Sequence, residues 1–176
     1  ASTPPIFLLA ILIALSVFFS ASETAFSSMD RIRMKNKAAE GHKRAKLVLK
    51  ISENYDTLLS TILVGNNIVN IASPSIATVV FTSFMGDIGV TISTIVMTVV
   101  VLIFGEISPK SIAKDKAESI AILLAPPLQV CIWILTPVNW IFKLWKMLLT
   151  KIFKLHRNDT FTEEELITIV DEVQSD

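Results

Sequence analysis

Between residues 51 and 109 the chain has no lysine or arginine, and within that interval aliphatic side chains dominate two long runs, Leu58 to Phe84 and Val90 to Phe104. Runs of this kind, each about 20 residues, match the ~30 Å hydrocarbon core of a bilayer. A lipid-exposed segment must satisfy its own backbone hydrogen bonds, so each run has to be helical. Only Met85-Gly86-Asp87-Ile88-Gly89 joins them, and its two glycines permit the positive φ of a tight turn. That leaves one arrangement, an antiparallel helical hairpin.

Composition agrees with a membrane protein: 52% of the 176 residues are hydrophobic and mean hydropathy is positive. The formal net charge is zero, yet every Lys and Arg falls in Arg31 to Lys50, Lys110 to Lys116 or Lys143 to Arg157. Because these clusters flank apolar runs they read as topology signals and exclude a nucleic-acid partner. Cys131 is the single cysteine, so no internal disulfide forms.

Taken in order, residues 5–29 form a first span. The basic, alanine-containing stretch Arg31 to Lys50 follows as a helix along the membrane surface; its charge makes it cytoplasmic, which places the N-terminus outside. Residues 56–84 return the chain outward, and residues 89–108 bring it back to Lys110, Lys114 and Lys116. The stretch Ser119 to Phe142 is also long, but it contains Pro126, Pro127 and Pro137. Crossing there would carry Lys143, Lys146, Lys151, Lys154 and Arg157 outside, so it reads as a re-entrant pair of short helices in the inner leaflet. An amphipathic juxtamembrane helix then runs from about Pro137 to Leu155. Trp133, Trp140 and Trp145 supply interfacial aromatics, and Lys143, Lys146, Lys151 and Lys154 reach anionic head groups. Thr162 followed by Glu163, Glu164 and Glu165 is a capping box, and residues 158–176 read as the start of a truncated acidic cytoplasmic helical bundle. The expected fold is therefore an all-α membrane protein: residues 1–157 form an ion-transport module of three transmembrane helices, inner-leaflet short helices (119–156 being juxtamembrane) and an amphipathic helix.

The chemistry lies in polar patches on the three spans. Glu106 ends the third run with no basic residue in its own segment, and an intramembrane carboxylate is a functional candidate by default. Pro109 lacks an N–H and disfavours helical geometry at Ser108, so it is expected to break the helix and free carbonyls beside Glu106; Pro74 is expected to do the same in the second span. On the first span Ser16, Ser20, Glu23 and Ser27 share a face, and on the second Asn66 and Asn70 are one turn apart, with Gly65 giving room for a neighbour. Carboxylate, amide and hydroxyl oxygens without imidazole or thiolate suit a hard cation such as Mg²⁺, Mn²⁺ or Ca²⁺. The plainer alternatives are interhelical hydrogen bonding for the serines and asparagines and a protonated, structurally bonded Glu106. No nucleophile–base pair, zinc motif or phosphate loop is present, so no enzyme is indicated.

Phe19-Ser20-Ala21-Ser22-Glu23-Thr24-Ala25, Val64-Gly65-Asn66-Asn67-Ile68-Val69-Asn70 and Phe104-Gly105-Glu106-Ile107-Ser108-Pro109-Lys110, in that order, resemble the transmembrane module of the CorC/CNNM (cyclin M) magnesium transporters. The resemblance covers nearly the whole chain. It implies a homodimer in the cell inner (plasma) membrane, a cytoplasmic C-terminus leading to CBS domains outside this sequence, and Mg²⁺ export driven by Na⁺. It further implies Mg²⁺ ligation by Ser20, Ser22, Asn66, Asn70, Gly105 and Glu106. Glu23, Ser27, Asn67, Ser73 and Ser108 are secondary candidates, for the Na⁺ side of the cycle among others. Transport of another divalent ion such as Co²⁺ or Mn²⁺, and a non-transporting anchor for regulatory domains, are the competing functions.

Overall fold

The computed structural model describes residues 3–152. The acidic stretch 158–176, with Thr162 and Glu163 to Glu165, lies outside the described residues, as do Lys154 and Arg157. The chain divides into two units, Ala1–Asn139 and Trp140–Asp176.

The first unit is built on α1 (Thr3–Ser28), α4 (Tyr55–Met85) and a third long rod made of α5 (Ile88–Val100), a π-helical segment (Val101–Ile107) and α6 (Ser108–Asp115). Between α1 and α4 lie the two short helices α2 (Arg31–Ala39) and α3 (Lys43–Glu53). Asp30 starts α2 by accepting from the backbone N–H groups of Ile32 and Arg33 at 2.8 and 3.2 Å, two of the donors a helix leaves unpaired at its first turn. The α4–α5 turn runs through Gly86 at φ 64°, the left-handed conformation expected for this hairpin. After α6 come α7 (Ala117–Ile134) and α8 (Thr136–Ile152).

The distribution of side chains is that of a bundle solvated by lipid. Phe7, Leu63, Ile71, Val79 and Ile95 point outward, while Ser16, Ser20, Ser22, Ala25, Ser73 and Ala77 are buried between helices. Hydrocarbon solvates a leucine as well as another leucine does, so small and hydroxylated residues that let backbones approach take the interior. Toward the basic end, Ala117, Ala121, Ala125 and Leu128 form one stripe of α7 that packs against α1 and α3, where Ala45, Val48 and Ile51 are buried.

The all-α fold and the hairpin agree with the sequence reading, but three proline expectations require correction. Pro74 lies inside an unbroken α4. Pro109 does not end the third rod: Ile107 and Ser108 both have right-handed helical angles, and the helix runs through to Asp115. Pro126 and Pro127 do not split the fourth stretch, which is one helix from Ala117 to Ile134, the break falling at Leu135 ahead of Thr136 and Pro137. A proline fixes φ at a helical value and deletes one hydrogen bond, and flanking turns held by side-chain packing tolerate that loss. Among the described residues four helices are long and apolar enough to cross a membrane, the fourth being Ala117–Ile134, where three were expected.

In the second unit the described residues continue α8, on which Trp140, Ile141, Trp145, Met147 and Leu148 are exposed. Thr136, Asn139, Lys143, Lys146 and Thr150 recur at three- and four-residue intervals along α8, giving the expected amphipathic pattern.

Candidate cation site

Four close approaches fix the register of the three rods. A Cβ at Gly65 would overlap the ring of Phe19, and Ser16 Oγ donates to Asn70 Oδ1 at 2.9 Å. Residue numbers rise on α1 as they fall on α4, so these helices are antiparallel. A Cβ at Gly105 would lie 2.7 Å from Ser16 Oγ, and Lys110 Nζ lies 3.0 Å from Glu23 Oε2. The third rod therefore runs parallel to α1.

This register joins one polar residue from each rod. Ser16 Oγ donates to Asn70 Oδ1, and Asn70 Nδ2 donates to Glu106 Oε1 at 3.2 Å. Ser16 is buried, and Asn70 and Glu106 are half-buried. One turn along α1 from Ser16 is Ser20, and one turn back along α4 from Asn70 is Asn66; the antiparallel register puts them at one level. Ser20 Oγ and Asn66 Oδ1 are both buried with no hydrogen-bond partner. Leaving a polar atom so costs ~1–3 kcal/mol, and native interiors seldom tolerate it without a reason.

The π-helical turn adds backbone oxygen. Ser108 N–H bonds Ile103 O, five residues back. Residue 109 would donate next, to Phe104 O in π geometry or to Gly105 O in α geometry, but it is proline and has no N–H. Carbonyl capacity is thus left beside Glu106, and Gly105, without a Cβ, keeps the approach from Ser16 open.

All these donors are oxygens. Among the described residues no group of three or more His, Cys, Asp or Glu side chains converges. One carboxylate among neutral amide, hydroxyl and carbonyl oxygens is a donor set for a hard cation.

Residues 7–176 match the family model described as the cyclin M transmembrane N-terminal domain. The chain belongs to the cyclin M transmembrane family. It is 38% identical over 168 residues to a UPF0053 protein of Haemophilus influenzae, covering 94% of this chain and 40% of that protein. It is 36% identical over 168 residues to the UPF0053 inner membrane protein YfjD of Escherichia coli, covering 92% of this chain and 39% of that protein. A protein of Escherichia coli named polyamine export protein is 28% identical over 175 residues, covering 91% of this chain and 39% of its own length. The chain therefore spans only part of its relatives, and it is a membrane protein of this family.

Within this cyclin M domain the other sequence candidates lie apart from the hydrogen-bonded chain or bond elsewhere. Ser22 is buried, but its Oγ donates to Phe18 O at 2.7 Å, within its own helix. Ser73 Oγ likewise donates to Val69 O at 2.7 Å. Asn67 and Ser27 are exposed, with Ser27 Oγ donating to Thr24 O, and Ser108 is half-buried. Glu23 pairs with Lys110, Nζ to Oε2 at 3.0 Å.

Sequence reasoning placed Ser16 on the polar stripe without a role, although it is the α1 member of the hydrogen-bonded chain. The signal was its spacing of four from Ser20 and seven from Glu23. Asn139 was missed altogether: it is buried, its Nδ2 donates to Thr61 Oγ1 at 2.8 Å, and its Oδ1 has no partner. Nothing about an asparagine in an amphipathic pattern marks it as a tie to α4.

Proposed function

We propose that this chain is the ion-binding module of a divalent-cation transporter whose substrate is Mg²⁺, exported by alternating access and coupled to inward Na⁺. The observation that carries this reading is the Ser16–Asn70–Glu106 chain linking three rods beside two buried oxygens without partners, Ser20 Oγ and Asn66 Oδ1. A dehydrated divalent ion requires a full negative charge together with several oxygens, and Glu106 supplies the charge. Asn70 now divides its amide between Ser16 and Glu106, so rotation of that amide and of Glu106 would turn oxygens toward an ion shared with Ser20 and Asn66. Ser22 and Gly105 would contribute backbone oxygen.

On this reading the N-terminus is outside and the C-terminus cytoplasmic, with Lys143, Lys146 and Lys151 at anionic head groups. The module works as a homodimer, is not an enzyme, and leads in the full protein to cytoplasmic CBS domains. Na⁺ would use the secondary oxygens around Glu23 and Asn67.

An organic polycation is the second reading. Relatives carry the name polyamine export protein, and the Lys110 ammonium against Glu23 is a contact of the kind an amine substrate would make. The test is equilibrium titration of the purified protein with Mg²⁺, Mn²⁺, Co²⁺ and spermidine. Saturable Mg²⁺ binding that Glu106→Gln removes is expected. Preference for Mn²⁺, Co²⁺ or spermidine would reassign the substrate, and no binding of any would leave the module an anchor.

A further inference from the structure

We propose that Lys110 is a tethered counter-cation that competes with the transported divalent ion for Glu106, and that Glu23 holds it aside so that the ion can reach the carboxylate. This deepens the cation-site reading above and rests on it. Lys110 Nζ lies 3.0 Å from Glu23 Oε2, joining α6 to α1. Glu23 is three residues beyond Ser20 on α1, and Lys110 is four beyond Glu106 on the third rod. The ion pair therefore sits about one helical turn, ~5–6 Å along the axis, from the unpartnered Ser20 hydroxyl and the Glu106 carboxylate.

Lys110 has two carboxylates within its range. Glu23 faces it from the neighbouring helix, and Glu106 precedes it by four residues on its own, the order in which a Glu–Lys pair on a helix is favourable. In this structure the ammonium is on the Glu23 side, and Glu106 takes its hydrogen bond from Asn70 Nδ2. Both side chains of the pair are partly exposed, Lys110 at 43% and Glu23 at 44%, so neither is enclosed by packing. A lysine head on a flexible four-carbon stem can exchange between them with little backbone movement.

The exchange answers a difficulty inherent in the site. An ion that leaves Glu106 leaves a half-buried carboxylate with a neutral amide donor, Asn70 Nδ2, in place of a cation, and a charge so weakly compensated opposes release. An ammonium one turn away can replace the departing ion. While the ion is bound, the same ammonium would repel it unless a second carboxylate neutralised it, and Glu23 occupies that position. An ordinary surface ion pair tying α1 to α6 accounts for the 3.0 Å distance but assigns no reason for its place next to Glu106.

The test is a four-protein comparison of Mg²⁺ affinity by calorimetry on wild type, Glu23→Gln, Lys110→Met and the double variant, each matched for monodispersity. With Glu23 neutralised, the freed lysine competes for Glu106, and affinity should fall about tenfold or more. Lys110→Met should tighten binding, and the double variant should recover at least wild-type affinity. A double variant as weak as Glu23→Gln would overturn the proposal, because Glu23 would then act on the ion directly. Single variants both indistinguishable from wild type would also overturn it, leaving the pair as packing. If the wild type binds Mn²⁺ or Ca²⁺ but not Mg²⁺, the Mg²⁺ assignment fails while the same cycle, run with the ion that binds, still decides the role of Lys110. If no divalent ion binds, both readings fall.

Discussion

Asn70 Nδ2 donates to Glu106 Oε1 at 3.2 Å, so the carboxylate of one span is held by an amide of another that is itself engaged by Ser16. A glutamine at position 106 can present its own carbonyl oxygen to the same N–H. Glu106→Gln is therefore expected to keep the cation-free fold, with a melting temperature close to wild type. Its Mg²⁺ affinity should fall at least 100-fold, about 2.7 kcal/mol or more, because the only full charge among the proposed ligands is gone. Glu106→Asp retains the charge one methylene short and should be intermediate. If glutamine binds Mg²⁺ as wild type does, Glu106 is a structural hydrogen-bonding group and nothing more.

The contact between Phe19 and Gly65 offers a test of the register that does not depend on any ion. A Cβ at position 65 would overlap the phenyl ring, so Gly65→Val must displace α1 from α4 or force the ring from its rotamer. Overpacking of this kind costs ~1–3 kcal/mol. Phe19→Leu, which clears space, should restore part of the loss when combined with Gly65→Val. Additive destabilisation in thermal melts of the double variant would contradict the contact.

The sequence showed the spans plainly, because apolar length and the placement of lysines are properties of composition. It also marked Asn66, Asn70 and Glu106, since polar groups at membrane depth need partners. It could not show that Ser16 pairs with Asn70 while the Ser22 hydroxyl turns to Phe18 O: both are buried serines on α1, and only the neighbouring helix separates their roles. The proline expectations failed for a related reason. The local cost of Pro74, Pro109 and Pro126-Pro127 is legible in the sequence, but the tertiary packing that overrides it is not. At Pro109 the π-helical turn absorbs the defect, and a six-residue motif gives no warning of it.

The fourth helix, Ala117–Ile134, separates two membrane arrangements that charge and length argue in opposite directions. Its 18 residues extend ~27 Å, close to a bilayer core. Crossing, however, would leave Lys116 and Lys143 on opposite faces. In a Cys131→Ala background, single cysteines at Asp87, Lys116 and Lys143 can be treated with a membrane-impermeant thiol reagent. Labelling from outside is expected only at Asp87, with Lys116 and Lys143 protected until the membrane is permeabilised. External labelling at Lys143 would make Ala117–Ile134 a fourth crossing.

Ser20 supplies the prediction with opposite signs in the absence and presence of the ion. Its hydroxyl is buried without a hydrogen-bond partner, so in the ion-free protein it carries a desolvation penalty that no contact offsets. Ser20→Ala removes that penalty and should stabilise the ion-free protein by ~1 kcal/mol, read as a higher melting temperature. The same change deletes an oxygen from the proposed site, so the further rise in melting temperature on adding Mg²⁺ should shrink or vanish. Ser22→Ala is the control. Its hydroxyl is already bonded to Phe18 O, and its removal should leave the Mg²⁺-induced rise intact while giving no comparable stabilisation without the ion. A Ser20→Ala protein that is less stable without the ion and keeps its full response to Mg²⁺ would mean that Ser20 packs the α1–α4 interface and does not meet the cation.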